Sequence, residues 1–263
     1  MTDPILLRQD DDGVATLTLN APGSLNALSD AMLAALGDVF HRLAEDRSIT
    51  VVVLRGAGKA FCAGHDLKEM QAARAQPDQG AAAFENLFNR CAAVMQMIPA
   101  LPQPVIASVH GVAAAAGCQL VASCDLVVAA EGARFGVNGV NIGLFCSTPM
   151  VALTRKVPAA IAFEMLVTGA FLDAARAREV GLVNRVCAAG ALEAETMDLA
   201  RTIAAKLTAA VRIGKRAFHD QAGLGLADAY RHTGAVMVEN MLLRDTAEGI
   251  DAFLEKRPPD WKG

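Results

Sequence analysis

Apolar and polar positions alternate with period two over Val14–Leu19, where Thr16 and Thr18 stand between apolar neighbours, and this predicts a half-buried strand. The turn-forming run Asn20-Ala-Pro-Gly23 ends it. Beyond Ser29 the period lengthens. Met32, Leu33, Leu36, Val39, Phe40 and Leu43 share one helical face, and Ser29 is placed to cap that helix. A β-branched strand follows at 50–54, closed by Gly56 and Gly58. A helix is expected over 80–97, stopped by the prolines at 99, 102 and 104. Val105–Val109 and Leu126–Ala130 read as strands on either side of a short helix at 115–123. Short strands alternating with helices predict an α/β fold.

After Pro149 the pattern becomes mainly helical. Helices are expected at 150–156, Ala159–Thr168 and 173–180, then one strand at 182–186, then helices at about 191–207, 209–222, 226–247 and 248–255. The organisation expected is an α/β core over residues 1–195 and a helical region over 196–263. No charged or Gly/Ser-rich linker separates them, so the tail should pack closely. No internal repeat is evident at the level of sequence.

Composition narrows the possibilities. Over 263 residues, 53% are hydrophobic, which suffices for a large core. Aromatics make up only 5%, so aliphatic side chains must fill that core. Lys and Arg number 24 against 28 acidic residues, and no basic tract appears, which argues against a nucleic-acid partner. A few local cations are still enough to hold an anionic small molecule. The six cysteines form no CxxC pair and no cluster with histidine, so no metal site is expected and they read as small buried hydrophobes of a reducing compartment. The segment 105–130 is apolar but carries His110, Gln119 and Asp125 among many small residues, so no membrane insertion is expected. The first twelve residues hold four aspartates and one arginine, the opposite of a targeting segment, and point to a cytoplasmic location.

Two loops concentrate the candidate chemistry. Lys59-Ala-Phe-Cys-Ala-Gly-His-Asp-Leu-Lys-Glu69 and His110-Gly-Val-Ala-Ala-Ala-Ala-Gly-Cys-Gln-Leu120 each run from a strand through small residues into a helix. Helix N-termini present unpaired N–H groups, and small side chains let a ligand reach that backbone. Facing each other, two such turns make a hole for an anionic oxygen. By spacing alone they read more readily as tight turns under close helix packing. No Gly-rich loop of the P-loop or dinucleotide-binding type is present, so neither ATP nor NAD is implied.

Phe61-Cys-Ala-Gly-His-Asp66, Ala116-Gly-Cys-Gln119, Cys124-Asp-Leu126 and Ala252-Phe-Leu-Glu-Lys-Arg257, in that order, resemble the crotonase (enoyl-CoA hydratase/isomerase) superfamily. Within it, Gly139-Val-Asn-Ile-Gly-Leu-Phe-Cys-Ser-Thr-Pro149 is similar to the subgroup called enoyl-CoA hydratase domain-containing protein 3. The resemblance implies a crotonase-like α/β spiral of repeated ββα units with a helical C-terminal trimerisation region, assembled as a homotrimer or a dimer of trimers. It also implies an acyl-CoA thioester as substrate. Coenzyme A is then part of the substrate, and no separate cofactor is expected.

Carried over residue by residue, the two oxyanion amides are those of His65 and Ala116, the latter where relatives usually have glycine. The two glutamates that hydratases use to activate and deliver water fall on Gln119 and Gly139. A carboxamide orients water but cannot take its proton, and glycine does neither. Weak or absent hydration is therefore expected, and restoring glutamate at both positions is expected to raise it. The CoA moiety is assigned to Ala27, Ala60, Phe61, Ala63, Asp66, Leu67 and Lys68, with Gly117 beside the oxyanion turn and Lys256 contributed by a neighbouring subunit. The two lysines read equally well as solvated surface charges. Ser24-Leu25 stands where many relatives have a basic residue, which removes one phosphate contact. Cys146 and Ser147 are candidates for the acyl pocket, and Asn138 or Asn141 for orienting water, although loop packing accounts for each of them too. Asp125 is expected to be structural, and His41, His219 and His232 to be surface or packing residues.

Three functions fit these residues: a hydratase/isomerase-family enzyme acting through the oxyanion hole, a decarboxylase of malonyl-type CoA esters, or a non-catalytic acyl-CoA-binding protein. The decarboxylase reading draws on Ala63-Gly-His-Asp66, since methylmalonyl-CoA decarboxylases show the same run. They carry tyrosine at the position of Cys146, which weakens the parallel.

Overall fold

The computed structural model describes residues 3–262. Its chain opens with the hairpin β1 (Leu6–Asp11) and β2 (Val14–Leu19), followed by α1 (Asp30–Glu45), β3 (Val51–Gly56), β4 (Ala60–Cys62), α2 (Leu67–Ala73) and α3 (Ala81–Ala100). Next come β5 (Val105–Val109), β6 (Val112–Ala114), α4 (Ala116–Ser123), β7 (Leu126–Ala130) and β8 (Arg134–Gly136). The remainder is α5 (Pro149–Leu153), α6 (Ala159–Thr168), β9 (Phe171–Asp173), α7 (Ala174–Glu179), β10 (Arg185–Cys187) and the helices α8 (Leu192–Ala204), α9 (Thr208–Gln221), α10 (Leu226–Met241) and α11 (Arg244–Glu255). Among the described residues no helix is long and apolar enough to cross a membrane.

The strands form two sheets. One has six strands in the order β1-β2-β3-β5-β7-β10, parallel except for the β1–β2 hairpin. The other has four short strands in the order β4-β6-β8-β9. Burial of the large sheet on both faces explains the sequence pattern. Val52 and Leu54 of β3 enter the main core with Leu17 and Leu19, whereas Val51 and Val53 face a second cluster with Leu192 and Ala200 of α8. Ser29 caps α1 as expected, accepting a hydrogen bond from the Met32 amide at 3.2 Å.

Several boundaries differ from those read in the sequence. β1 was missed because its exposed LLRQDD run has no apolar alternation, and pairing with β2 defines it. The short strands of the four-stranded sheet span only three residues each, too few to show a period. The helix expected to stop at 97 continues to Ala100 with Pro99 inside its last turn, supported by the bond from the Leu101 amide to Met97 O at 2.8 Å. The long helix expected over 226–247 breaks instead at Leu242-Leu243. Residue 195 lies inside α8, whose buried Leu192, Thr196 and Ala200 pack on the six-stranded sheet, so that helix is part of the core.

The tail is tied to the core by a buried charge. Lys215 of α9 donates to Asp125 Oδ2 at 2.7 Å, to Ile98 O at 2.9 Å and to Gln103 O at 2.8 Å. His219 Nε2 lies 3.0 Å from Asp125 Oδ1, and the Val105 amide donates to Asp125 Oδ2 at 2.7 Å. Asp125 is thus structural as expected, and His219, expected as a surface or packing residue, is one of its partners. Burial works against the Asp125 carboxylate, yet His219, Lys215 and the Val105 amide together hold its pKa below the ordinary value.

Candidate functional site

The loop at 20–28 is the scaffold for the first turn. Leu25 and Asn26 both take positive φ (54° each). Asn26 is fully buried and fully used: its Oδ1 accepts from the Ala21 amide at 2.9 Å, and its Nδ2 donates to Ala57 O and Ala60 O, both at 2.8 Å. The chain then pairs with the turn at 63–65, through Ala63 N to Leu25 O at 3.0 Å and Leu28 N to Gly64 O at 2.7 Å. Asp66 caps α2 by accepting from the amides of Lys68 (2.8 Å) and Glu69 (3.4 Å).

The second turn enters α4. Gln119 N bonds to Ala115 O at 3.0 Å, so the amides of Ala116, Gly117 and Cys118 precede the helical ladder. Ala115 sits at φ +48°, ψ −117°, a region suited to glycine, held there by its own amide bonding to Gly136 O at 2.8 Å. A residue in such a conformation costs of order 1–3 kcal/mol and persists only where its surroundings impose it. Gly117 has no room for a side chain: a Cβ would stand 2.2 Å from Cys62 O, so α4 lies directly on β4.

The two turns meet. A Cβ on Gly64 would stand 3.1 Å from both Ala114 O and Ala115 Cβ and 3.4 Å from Ala116 N. They border a mainly apolar cavity of about 290 Å³ lined by residues that include Ala63, His65, Leu67, Ala115, Ala116, Asn138, Gly139, Cys146 and Ser147. No aspartate or glutamate lines it among the described residues.

His65 projects its ring against the edge of Phe88, with centroids 5.7 Å apart. Both ring nitrogens are buried and without a hydrogen-bond partner. Burial pushes the His65 pKa below its ordinary 6.5, with the Leu28 backbone offsetting only part of the shift. The Cys146 thiol, 5% exposed, is pushed above its usual range by burial.

Other assigned residues fall elsewhere. Gln119 is buried on α4, one turn beyond Ala116, with Oε1 unpartnered, and is not part of the cavity wall. Phe61 is wholly buried and belongs to the core, and Ala27 and Ala60 are buried outside the cavity. Gly117 serves packing on β4. Asp66 and Lys68 flank Leu67 without lining the cavity, and Lys68 is exposed. Asn141 does not face the cavity, because its carboxamide lies against Gly169, where a Cβ would meet Oδ1 at 2.7 Å. Lys256 ends α11 with φ +57°, also outside the wall. Gly139 lines the cavity without a positive φ, and a Cβ there would meet Leu144 O at 2.3 Å and Cys146 Sγ at 2.9 Å. Sequence reasoning missed Met70, Phe88, Leu144 and Phe145 in the wall. For Leu144 and Phe145 a signal existed in two large apolar residues on a loop.

The family model for enoyl-CoA hydratase/isomerase matches residues 9–263. A relative from Xenopus laevis, named enoyl-CoA hydratase domain-containing protein 3, mitochondrial, is 43% identical over 259 residues, covering 98% of this chain and 86% of its own. The crystal structure of an enoyl-CoA hydratase from Mycobacterium smegmatis superposes with a TM-score of 0.95 at 55% identity, over 99% of this chain and 100% of that one. The human enoyl-CoA hydratase domain-containing protein 3 superposes at 0.93 with 43% identity, over 98% and 100%. The Xenopus relative is named as mitochondrial, as are its counterparts from Homo sapiens and Danio rerio, and this overturns the cytoplasmic location expected from the acidic N-terminus. Charge in the first twelve residues is a poor guide to compartment.

Proposed function

The chain belongs to the enoyl-CoA hydratase/isomerase family, and from that premise we propose that it binds an acyl-CoA thioester and stabilises the thioester oxyanion with the amides of His65 and Ala116. The observation that carries this reading is the contact of the two turns at Gly64 beside an apolar cavity. Fixed N–H donors aimed at developing charge in a water-poor site are worth about 10²–10³ in rate each. An acyl group fits the wall of Met70, Phe88, Leu144 and Cys146, and the CoA moiety extends past Leu67 toward the exposed Lys68. Lys256 of a neighbouring copy is a second candidate for a CoA phosphate.

Water activation has no evident base. The cavity wall lacks a carboxylate, Gln119 stands behind it and Gly139 brings no side chain. This favours a second reading, decarboxylation of a malonyl-type CoA ester. Loss of CO₂ leaves the electron pair on the α-carbon, the oxyanion hole stabilises the resulting enolate, and no residue need deprotonate water. The His65 imidazole, whose ring nitrogens have no hydrogen-bond partner within the chain, supports this reading, since it can hold a polar group or relay a proton to that carbon, one nitrogen taking a proton from water as the other gives one up. The binding-protein alternative predicts thioester binding with no turnover.

A trimeric assembly accompanies this reading. Leu226 and Tyr230 on α10, Phe253 and Leu254 on α11 and Leu242 at the break between them expose from 71% to 82% of their surface, which suits burial against further copies of the chain. Turnover of crotonyl-, malonyl- and methylmalonyl-CoA followed by mass spectrometry, beside calorimetry with acetoacetyl-CoA, tests the proposal. Binding together with turnover of a malonyl-type ester and slow hydration is the expected result. No thioester bound at millimolar concentration overturns it.

A further inference from the structure

Among the described residues, Ala115 is the one non-glycine of the cavity wall with a positive φ. At ψ −117° its methyl is nearly eclipsed with the nitrogen of Ala116. It is only half-buried, open to the cavity, and touches the position where Gly64 turns. The methyl therefore stands beside the amide assigned to the acyl oxygen. A bound oxygen lies about 2.9 Å from that nitrogen, which brings the carbonyl carbon and its α-carbon to on the order of 5 Å from the methyl. Glycine in this place would remove both the strain and the obstruction.

We propose that Ala115 is a specificity-determining residue, whose methyl excludes thioesters branched at the α-carbon and admits straight-chain ones. This rests on the acyl-CoA reading of the same cavity. The methyl narrows the space left for an α-substituent once the oxygen sits between the two turns. Within malonyl-type esters the same wall selects malonyl- over methylmalonyl-CoA.

Butyryl-CoA and isobutyryl-CoA test this directly, since they are isomers that differ only in branching at the α-carbon. Calorimetry on the full-length protein should show butyryl-CoA binding about ten-fold or more tightly, the range that one methylene commands in an apolar pocket. Ala115→Gly should close that gap to within about three-fold by strengthening isobutyryl-CoA rather than weakening butyryl-CoA. A melting temperature at or above wild type shows that the variant is folded, as relief of a positive φ requires. If wild type binds the isomers equally, or Ala115→Gly leaves the gap unchanged, this inference falls while the acyl-CoA reading stands. If neither ester binds, both fall.

Discussion

The carbonyl oxygen of Leu144 occupies the space into which any side chain at Gly139 would grow, at 2.3 Å from the Cβ position. The loop is closed on itself there, since the Leu144 amide also donates to Gly139 O at 2.9 Å. The position that the family resemblance assigns to a second acid therefore has no room for a side chain, which revises the expectation that two restored glutamates act together.

Gly139→Glu should destabilise the protein by about 1–3 kcal/mol or more, as overpacking does, lowering the melting temperature by about 2–4 °C per kcal/mol. Wild-type hydration of crotonyl-CoA should be slow, and Gln119→Glu, buried behind the cavity wall, should raise it less than about ten-fold, with Gly139→Glu adding nothing to it. A folded double variant that hydrates faster than the single one would contradict this. So would wild-type hydration at about 10 s⁻¹, an ordinary enzymatic rate.

His65 ties stability to pH. Its folded pKa lies below the ordinary 6.5, with burial as the cause. Above 6.5 the ring is neutral in both states, and its contribution is fully present. As pH falls, the unfolded chain takes up a proton that the buried ring refuses, and stability is lost down to the folded pKa. The melting-temperature difference between wild type and His65→Ala should therefore shrink from pH 8 to pH 5. A difference that stays constant would place the ring in contact with solvent or a partner.

Legibility in the sequence followed the length of each signal. α1 and β2 carry enough periodic positions to be read with their caps and faces, and the run Cys62-Ala-Gly-His65 marks the first turn because small residues bracket it. The contact between Gly64 and Ala115 joins turns 51 residues apart in sequence, and no local pattern encodes it. Gly139 was read as a missing side chain, when its surroundings forbid one. Phe61 looked like a ligand contact by its motif position, yet β4 turns its ring into the core. The partner of His219 comes from the start of β7, 94 residues earlier, and equally escaped local reading.

Assembly can be tested on the exposed helices. Leu242→Asp with Phe253→Asp puts charge on side chains that are 81% and 82% exposed in the single chain, where substitution should cost the monomer little. If copies cover this face, the double variant should shift from a trimer mass to a monomer mass by light scattering, with a large loss of melting temperature. A wild-type monomer, or a variant of unchanged mass, would rule the face out as an interface.

The buried Asp125–Lys215 pair gives the strongest stability prediction. Asp125→Ala leaves the Lys215 ammonium, its side chain 6% exposed, with only the carbonyls of Ile98 and Gln103, and also deprives the Val105 amide and His219 of their acceptor. Breaking a buried pair from one side costs about 3–5 kcal/mol. Since Lys215 and His219 lie on α9, the loss should appear first as detachment of the tail, with early proteolytic cleavage after residue 207 while the core remains intact. Combining Asp125→Leu with Lys215→Met removes both charges and should recover part of the loss. The pH dependence has a definite sign. The folded Asp125 pKa is depressed, so its contribution is complete above the ordinary carboxylate value of 3.8 and disappears as pH falls through the folded value. The stability gap between wild type and Asp125→Ala should accordingly be widest near pH 6–7 and narrow below pH 4. A gap that is small at neutral pH, or equally large at pH 3, would show that hydrogen bonding to neutral groups, and not the ion pair, holds the tail in place.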